Sequence, residues 1–264
     1  MNRIFLIGGG WLTETFPQTY GRFLESASQN GERRIAVVVA EEASADSHTQ
    51  FLRFFEAFKA VGLKAEESFE IIVSAESPLT KEKLSEINPT GVFVCGGLTP
   101  AYHDALCRDK RWLEYLSDNK IPYGGFSAGA SIASEKAIIG GWLRKLKNRV
   151  VQIADENAGE DLDLLDVRNG LGLVNFAVDV HATQWGTLSR LVHAIDAEFA
   201  DKGWAIDENT MLEIESENIK ISGAGNAYRI VRKNGEIVIN VFQSADQLSE
   251  FCSASSLAES DSAS

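Results

Sequence analysis

Cysteine is scarce: Cys95, Cys107 and Cys252 are spread along 264 residues without a C-x-x-C pair. That spacing fits neither a disulfide framework nor a thiolate zinc site, and the expected state is the reduced thiol of a cytoplasmic protein. Basic charge is also short, with 25 Lys and Arg against 38 Asp and Glu and a formal net charge of −13. No cluster of Lys and Arg is dense enough to form a basic stripe, so the chain repels phosphate backbones and no nucleic-acid partner is expected. Long apolar runs are missing too. Ile4-Phe5-Leu6-Ile7 stops at Gly8-Gly9-Gly10, too soon for a spanning helix or the apolar part of a signal peptide. It reads as a first buried strand, no membrane partner is expected, and the absence of a targeting segment makes the cytoplasm the expected location. No internal repeat is present. Histidine is limited to four residues, so any chemistry that needs an imidazole has four candidates.

What is present is the composition of an ordinary globular protein, 44% apolar and 24% charged. Its length suits one α/β domain, expected over residues 1–243. Short β-branched runs at Arg3–Ile7, Arg34–Ala40, Phe69–Ser74, Gly91–Cys95 and Ile121–Gly124 alternate with helical stretches such as Gln50–Val61 and Ala101–Ser117. This alternation predicts βαβ units around a mostly parallel sheet flanked by helices. After a helix starting at Ala128, residues 155–166 carry six acids and read as a solvated loop. A strand at Phe176–His181 and a helix at Thr187–Phe199 are expected to continue the sheet. Asn234-Gly235 between Tyr228–Val231 and Glu236–Val241 predicts a closing C-terminal β-hairpin with a primed turn. Residues 244–264, rich in Ser, Ala and acids, bury little apolar surface and are expected to form a disordered tail.

The segment Gly125-Phe-Ser127-Ala-Gly129 is a G-x-S-x-G motif between a strand pattern and a helix pattern. A nucleophilic serine needs a sharp strand-to-helix turn, and glycines two residues to either side allow the backbone to cross closely. The helix beginning at Ala128 would also aim its free amides and dipole at charge developing beside the serine. By itself the motif reads equally well as small residues that let a helix pack on a sheet. Val92-Phe-Val-Cys-Gly96-Gly97 is a buried strand ending in two glycines, which makes Gly97 and Ala128 candidates for two backbone oxyanion donors. Without Ser127 nearby it is merely a glycine turn. Gly8-Gly9-Gly10 is a weaker version of the same signal and lacks the third glycine of a nucleotide fingerprint. Among the histidines, surface or packing roles suffice for His48, His103 and His193. His181 ends a strand pattern and can stand level with Ser127, although a packed histidine is the plainer alternative.

Taken in order, these pieces resemble the dipeptidase E/cyanophycinase family of serine peptidases, peptidase family S51. The shared pattern is a strand ending in Gly-Gly, a G-x-S-A-G-A/S elbow, a strand ending in Asp-x-His, and a later Asp-Glu followed by Thr. Here it reads Gly96-Gly97, Gly125-Phe-Ser127-Ala-Gly-Ala130-Ser131, Asp179-Val-His181 and Asp207-Glu208-Asn-Thr210. The resemblance spans roughly residues 3–242. It implies Ser127 as nucleophile, His181 as general base and Glu208 as the acid that orients the histidine, with Asp179 as the rival for that last role. It further implies a fold like class I glutamine amidotransferases, a small peptide as partner, and neither metal nor organic cofactor. A homodimer is allowed. Cyanophycinases carry Gln after the Gly-Gly pair and several Arg after Asp-x-His, where this chain has Leu98, Trp185 and Thr187, leaving Arg190 of the basic set. Leu98, Asp179, Trp185 and Arg190 are therefore the candidate substrate-binding residues, and altered specificity is expected. Two competing readings are a non-hydrolytic homologue that binds a ligand or partner, and an amidase or acyltransferase on a non-peptide substrate.

Overall fold

Residues 3–43, 45–244 and 247–248 are described in a computed structural model. Strands buried on both faces must be apolar throughout rather than alternating. Ile4–Ile7, Ile35–Ala40 and Gly91–Val94 are accordingly buried at every position. They belong to an eight-stranded sheet in the order Gln247–Leu248, Asn218–Gly223, Thr210–Glu215, Ile4–Ile7, Tyr123–Phe126, Gly91–Val94, Ile35–Ala40, Ser68–Val73. From Ile4–Ile7 onward the pairings are parallel, and the strands on its other side are antiparallel.

Helices cover this sheet through periodic apolar faces. In Ser47–Ala60 the carboxylate of Asp46 accepts the Thr49 N–H at 2.7 Å, and Phe51, Phe54, Ala57 and Phe58 are the buried face. Phe54 and Phe58 meet Phe93 of the sheet, the latter edge-on at 4.8 Å. Each such buried ring stabilises the fold by roughly 1.5–3 kcal/mol.

Several expectations change. The helix expected over 101–117 is two, Thr99–Leu106 and Arg111–Asp118. Asp109 accepts the Arg111 N–H at 3.0 Å and the Trp112 indole donates to Leu106 O at 3.1 Å, which closes the break between them. The strand expected at 121–124 is Tyr123–Phe126, because Pro122 has no N–H to enter the ladder. The helix from Thr187 ends at Asp196, with Glu198 in a left-handed conformation beyond it.

The largest correction concerns the second half. Ala177–Val180 does not continue the central sheet but begins a separate four-stranded one, in the order Ala177–Val180, Lys202–Ile206, Asn226–Lys233, Glu236–Gln243. Leu191, Ala194 and Ile195 of the helix Thr187–Asp196 join Ala205 and Ile230 in a second apolar cluster, which explains why this sheet needs its own cover. The hairpin forms as expected, with positive φ at both Asn234 and Gly235. The acidic stretch is not simply a solvated loop: it contains a 3₁₀ turn at Glu156–Gly159, with Ala158 and Gly159 buried. Gln247–Leu248, placed by the sequence in the tail, pairs with Ile219 and Lys220 at the edge of the central sheet. Residues 245–246 and 249–264 of the expected tail lie outside the described residues. No helix among the described residues is long and apolar enough to cross a membrane.

Candidate active site

Ser127 sits at the junction between the strand Tyr123–Phe126 and the helix Ala128–Ile132. Its φ of 49° and ψ of −108° put a non-glycine residue in a strained conformation costing about 1–3 kcal/mol, which the surroundings must impose. Ser127 donates its N–H to Ile7 O at 2.9 Å, and its carbonyl accepts from Ala130 at 2.9 Å and Ser131 at 3.0 Å. The crossing is tight enough that a Cβ on Gly129 would lie 2.3 Å from Val94 O. The helix that follows has only five residues, so its local N–H groups rather than a long macrodipole act at the site.

Register then determines what meets the serine. Ile4–Ile7 pairs in parallel with Tyr123–Phe126, Ile7 opposite Phe126, so Gly8 leaves the sheet beside Ser127. His181 donates its N–H to Gly8 O at 3.0 Å, docking the second sheet on the first. Within the second sheet Val180 lies opposite Ile206 in a parallel pair, so the chains after them, carrying His181 and Asp207-Glu208, leave at one edge. The result is a continuous relay. Ser127 Oγ lies 2.8 Å from His181 Nε2, and His181 Nδ1 lies 2.8 Å from Glu208 Oε1. Because a carboxylate only accepts, Nδ1 donates to Glu208 and Nε2 is left to accept the serine hydroxyl. The hydrogen bond from His181 holds Glu208 below the usual carboxylate value, with burial opposing it. A hydroxyl presented to an imidazole in this way is equipped for activation as a nucleophile.

The strand end at Gly96-Gly97 borders the same point. A Cβ on Gly96 would come within 2.9 Å of Ser127 Cβ, and the Gly129 N–H donates to Cys95 O at 3.2 Å. Among the described residues the N–H groups of Gly97 and Ala128 take no hydrogen-bond partner. The next two N–H groups are occupied by acids: Leu98 donates to Glu42 at 2.8 Å and Thr99 to Glu160 at 2.9 Å. Burial pushes Glu160 up to about 7 against the lowering effects of the Thr99 N–H and the Arg190 charge.

Four residues expected to bind substrate fall in different places. Leu98 is half-buried at the start of the helix Thr99–Leu106. Trp185 stacks on the His181 ring, centroids 4.0 Å apart and planes within 15°. Asp179 is fully buried, and Arg190 is 5% exposed. Arg190 binds both Asp179 oxygens, Nε to Oδ2 at 2.9 Å and Nη2 to Oδ1 at 2.7 Å, while Nη1 reaches the carbonyls of Gly141 and Ala158. Burial works against the guanidinium charge, yet the charge and hydrogen bonds of Asp179 outweigh it and raise Arg190 above its ordinary value. This placement corrects the expectation for Asp179 and Arg190: they satisfy each other inside the protein instead of facing a substrate. Arg190→Met is expected to destabilise by about 3–5 kcal/mol in urea unfolding, because it strands a buried carboxylate, and Asp179→Asn with Arg190→Met should recover most of the loss. A single variant of unchanged stability that loses only activity on acidic dipeptides would return Arg190 to the substrate pocket.

The sequence reading missed residues that brace the relay. A Cβ on Gly9 would lie 2.2 Å from His181 Cε1, so only glycine leaves room for the ring. Asn209 donates its N–H to Gly9 O at 2.6 Å and accepts the Leu12 N–H at 2.8 Å. Asp207 accepts from the N–H and hydroxyl of Thr183 at 3.0 and 2.7 Å. The signal available was the glycine triplet, whose purpose is close approach rather than nucleotide binding. The remaining histidines are engaged elsewhere: His48 with Glu70, His103 with Asn169 O and His193 with Arg144. Burial raises the Cys95 thiol and pushes Cys107 up to about 12, so neither is a thiolate at neutral pH. Among the described residues no three His, Cys, Asp or Glu cluster as metal ligands.

Comparison with known proteins agrees with this architecture. The sequence model of peptidase family S51 matches residues 4–222. Cyanophycinases of Synechococcus elongatus and Thermosynechococcus vestitus are each 30% identical over 143 residues, covering 52% of this chain and 40% of theirs. The chain thus matches well under half the length of these curated relatives. Among solved structures, a peptidase from an acI-B1 Actinobacterium superposes with TM-score 0.66 at 16% identity, covering 95% of this chain and 97% of its own. A protein described as a peptidase E from Listeria monocytogenes EGD-e superposes with TM-score 0.54 at 17% identity, covering 85% and 100%. These two show a shared α/β fold.

Proposed function

Since the chain belongs to peptidase family S51, we propose that it is a serine-type peptidase that hydrolyses a short peptide or isopeptide through an acyl-enzyme on Ser127. The observation that carries this reading is the unbroken relay from Ser127 Oγ through His181 to Glu208 at a strained strand-to-helix turn. His181 takes the serine proton as Oγ attacks the carbonyl carbon, and the oxyanion forms against the N–H groups of Gly97 and Ala128. The C–N bond then breaks, and His181 delivers its proton to the departing amine. Water enters, gives a proton to His181 and attacks the ester, and Ser127 regains its proton as the acid product leaves.

Specificity in this proposal differs from cleavage of the β-linked aspartate–arginine unit. Binding a carboxylate and a guanidinium calls for charge-assisted partners, and an ionic group set against Leu98 would be desolvated without compensation. Arg190, the remaining base of the expected set, is committed to Asp179. Digestion of a peptide library read by mass spectrometry is expected to reveal cleavage of short peptides with a small or apolar group near the cleaved bond. Kinetics on β-aspartyl-arginine beside dipeptides bearing Leu, Ala or Asp then decide. A higher kcat/KM for β-aspartyl-arginine would overturn the specificity, and no cleavage of any peptide would overturn the function.

A further inference from the structure

The ring of His181 is held on four sides, and two of those holds, by Gly9 and Trp185, belong to residues that the relay itself does not use. Nε2 meets Ser127, Nδ1 meets Glu208, and the Cε1 side is backed by Gly9. One face is covered by the indole of Trp185, nearly parallel at a centroid distance of 4.0 Å. The indole is held in turn at both ends of its backbone. Trp185 donates its N–H to His181 O at 2.9 Å, closing a turn that folds position 185 back over position 181, and its carbonyl accepts the Asp155 N–H at 2.9 Å. His181 itself has φ of 55°, so the chain reverses at the histidine and the side chain four residues later returns across it.

From this geometry we propose that Trp185 is a positioning residue for the His181 base: its indole fixes the imidazole plane and stabilises the imidazolium formed when Ser127 gives up its proton. The inference rests on the serine-peptidase reading above. Two physical effects contribute. Hydrogen bonds at two ring nitrogens still permit the ring to rock about the line joining them, and a flat surface stacked on one face opposes that motion. The π face of tryptophan is also electron-rich, so it attracts a cation stacked against it more than a neutral ring. The neutral imidazole gains little of that attraction, and the difference favours the state reached during attack. Trp185 thus stands apart from the candidate pocket residues, since its indole is stacked against the base.

A fluorophosphonate probe, which reacts with an activated serine without needing the natural substrate, provides the test. The rate of Ser127 labelling is measured against pH for the wild type, Trp185→Leu and Trp185→Phe, with melting temperatures in parallel. Trp185→Leu is expected to label about tenfold more slowly, with the acid limb of its profile moved down by about half a pH unit, while Trp185→Phe retains most of the rate and the limb. On a peptide that the wild type cleaves, kcat should fall in Trp185→Leu and KM should hold. Equal labelling rates and limbs in all three proteins would overturn the proposal, as would a lowered melting temperature with unchanged labelling per folded molecule. A raised KM at constant kcat would make Trp185 a substrate contact and overturn it as well. If the wild type itself is not labelled, the serine-peptidase reading fails and takes this inference with it; a labelled wild type with indifferent variants sinks the inference alone.

Discussion

Ser127→Ala is expected to abolish fluorophosphonate labelling and to lower peptide cleavage by about 10⁶-fold, with the melting transition left where it is. The size follows from the role: without Oγ no acyl-enzyme forms, and only binding and the oxyanion donors remain to act on water. The fold should survive because Oγ makes its hydrogen bond to His181 alone among the described residues, whereas the turn is held by the backbone of Ser127 with Ile7, Ala130 and Ser131. Alanine accepts φ of 49° no worse than serine does, since both carry one Cβ. The oxyanion donors are backbone N–H groups and are untouched by the change. Activity of the purified variant within tenfold of wild type would remove Ser127 from the mechanism.

Glu208→Gln should cost about 10⁴-fold in kcat/KM, with little loss of stability. A glutamine amide can turn its NH₂ toward Nδ1, which leaves the imidazole proton on Nε2 and presents the wrong tautomer to Ser127. The wild-type carboxylate is suited to the task because the His181 bond holds it below its ordinary value against the opposing effect of burial. It stays ionised at neutral pH, and the stabilisation from its pairing is lost only as the pH falls through that lowered value. Glu208 is 27% exposed, which keeps the stability change small. Asp179 is the alternative, on the strand Ala177–Val180 two residues before His181, but its oxygens are taken by Arg190. A Glu208→Gln enzyme within tenfold of wild type would return the orienting role to Asp179.

The elements that the sequence placed most closely are those whose signal is local. The apolar run Ile35–Ala40 had to be a strand buried on both faces. Asn234-Gly235 had to turn with two positive φ angles. The motif around Ser127 needed glycine at 129 because backbone passes there at a distance that admits no Cβ. Errors arose where the local pattern was ambiguous. The apolar face of 101–117 is nearly continuous through a break capped by Asp109, and the acids of 155–166 hid the buried Ala158 and Gly159. The family resemblance places Arg190 with a substrate-binding basic set, whereas here the buried carboxylate of Asp179 satisfies it, a long-range pairing that no local pattern signals.

The sequence by itself determined the alternation of strands and helices and the turn at Ser127, because backbone sterics and hydrophobic period act over a few neighbours, while the set of Ser127, His181 and Glu208 followed from the family resemblance of its ordered motifs. Only the tertiary structure decided that His181 and Glu208 come from a second sheet, that they reach Ser127 through the docking of His181 N–H on Gly8 O, and that Gly9 and Trp185 bound the imidazole. These are long-range contacts set by strand register and by the packing of one sheet against another. A one-residue change of register would turn each side chain to the opposite face while leaving the local sequence signals unchanged.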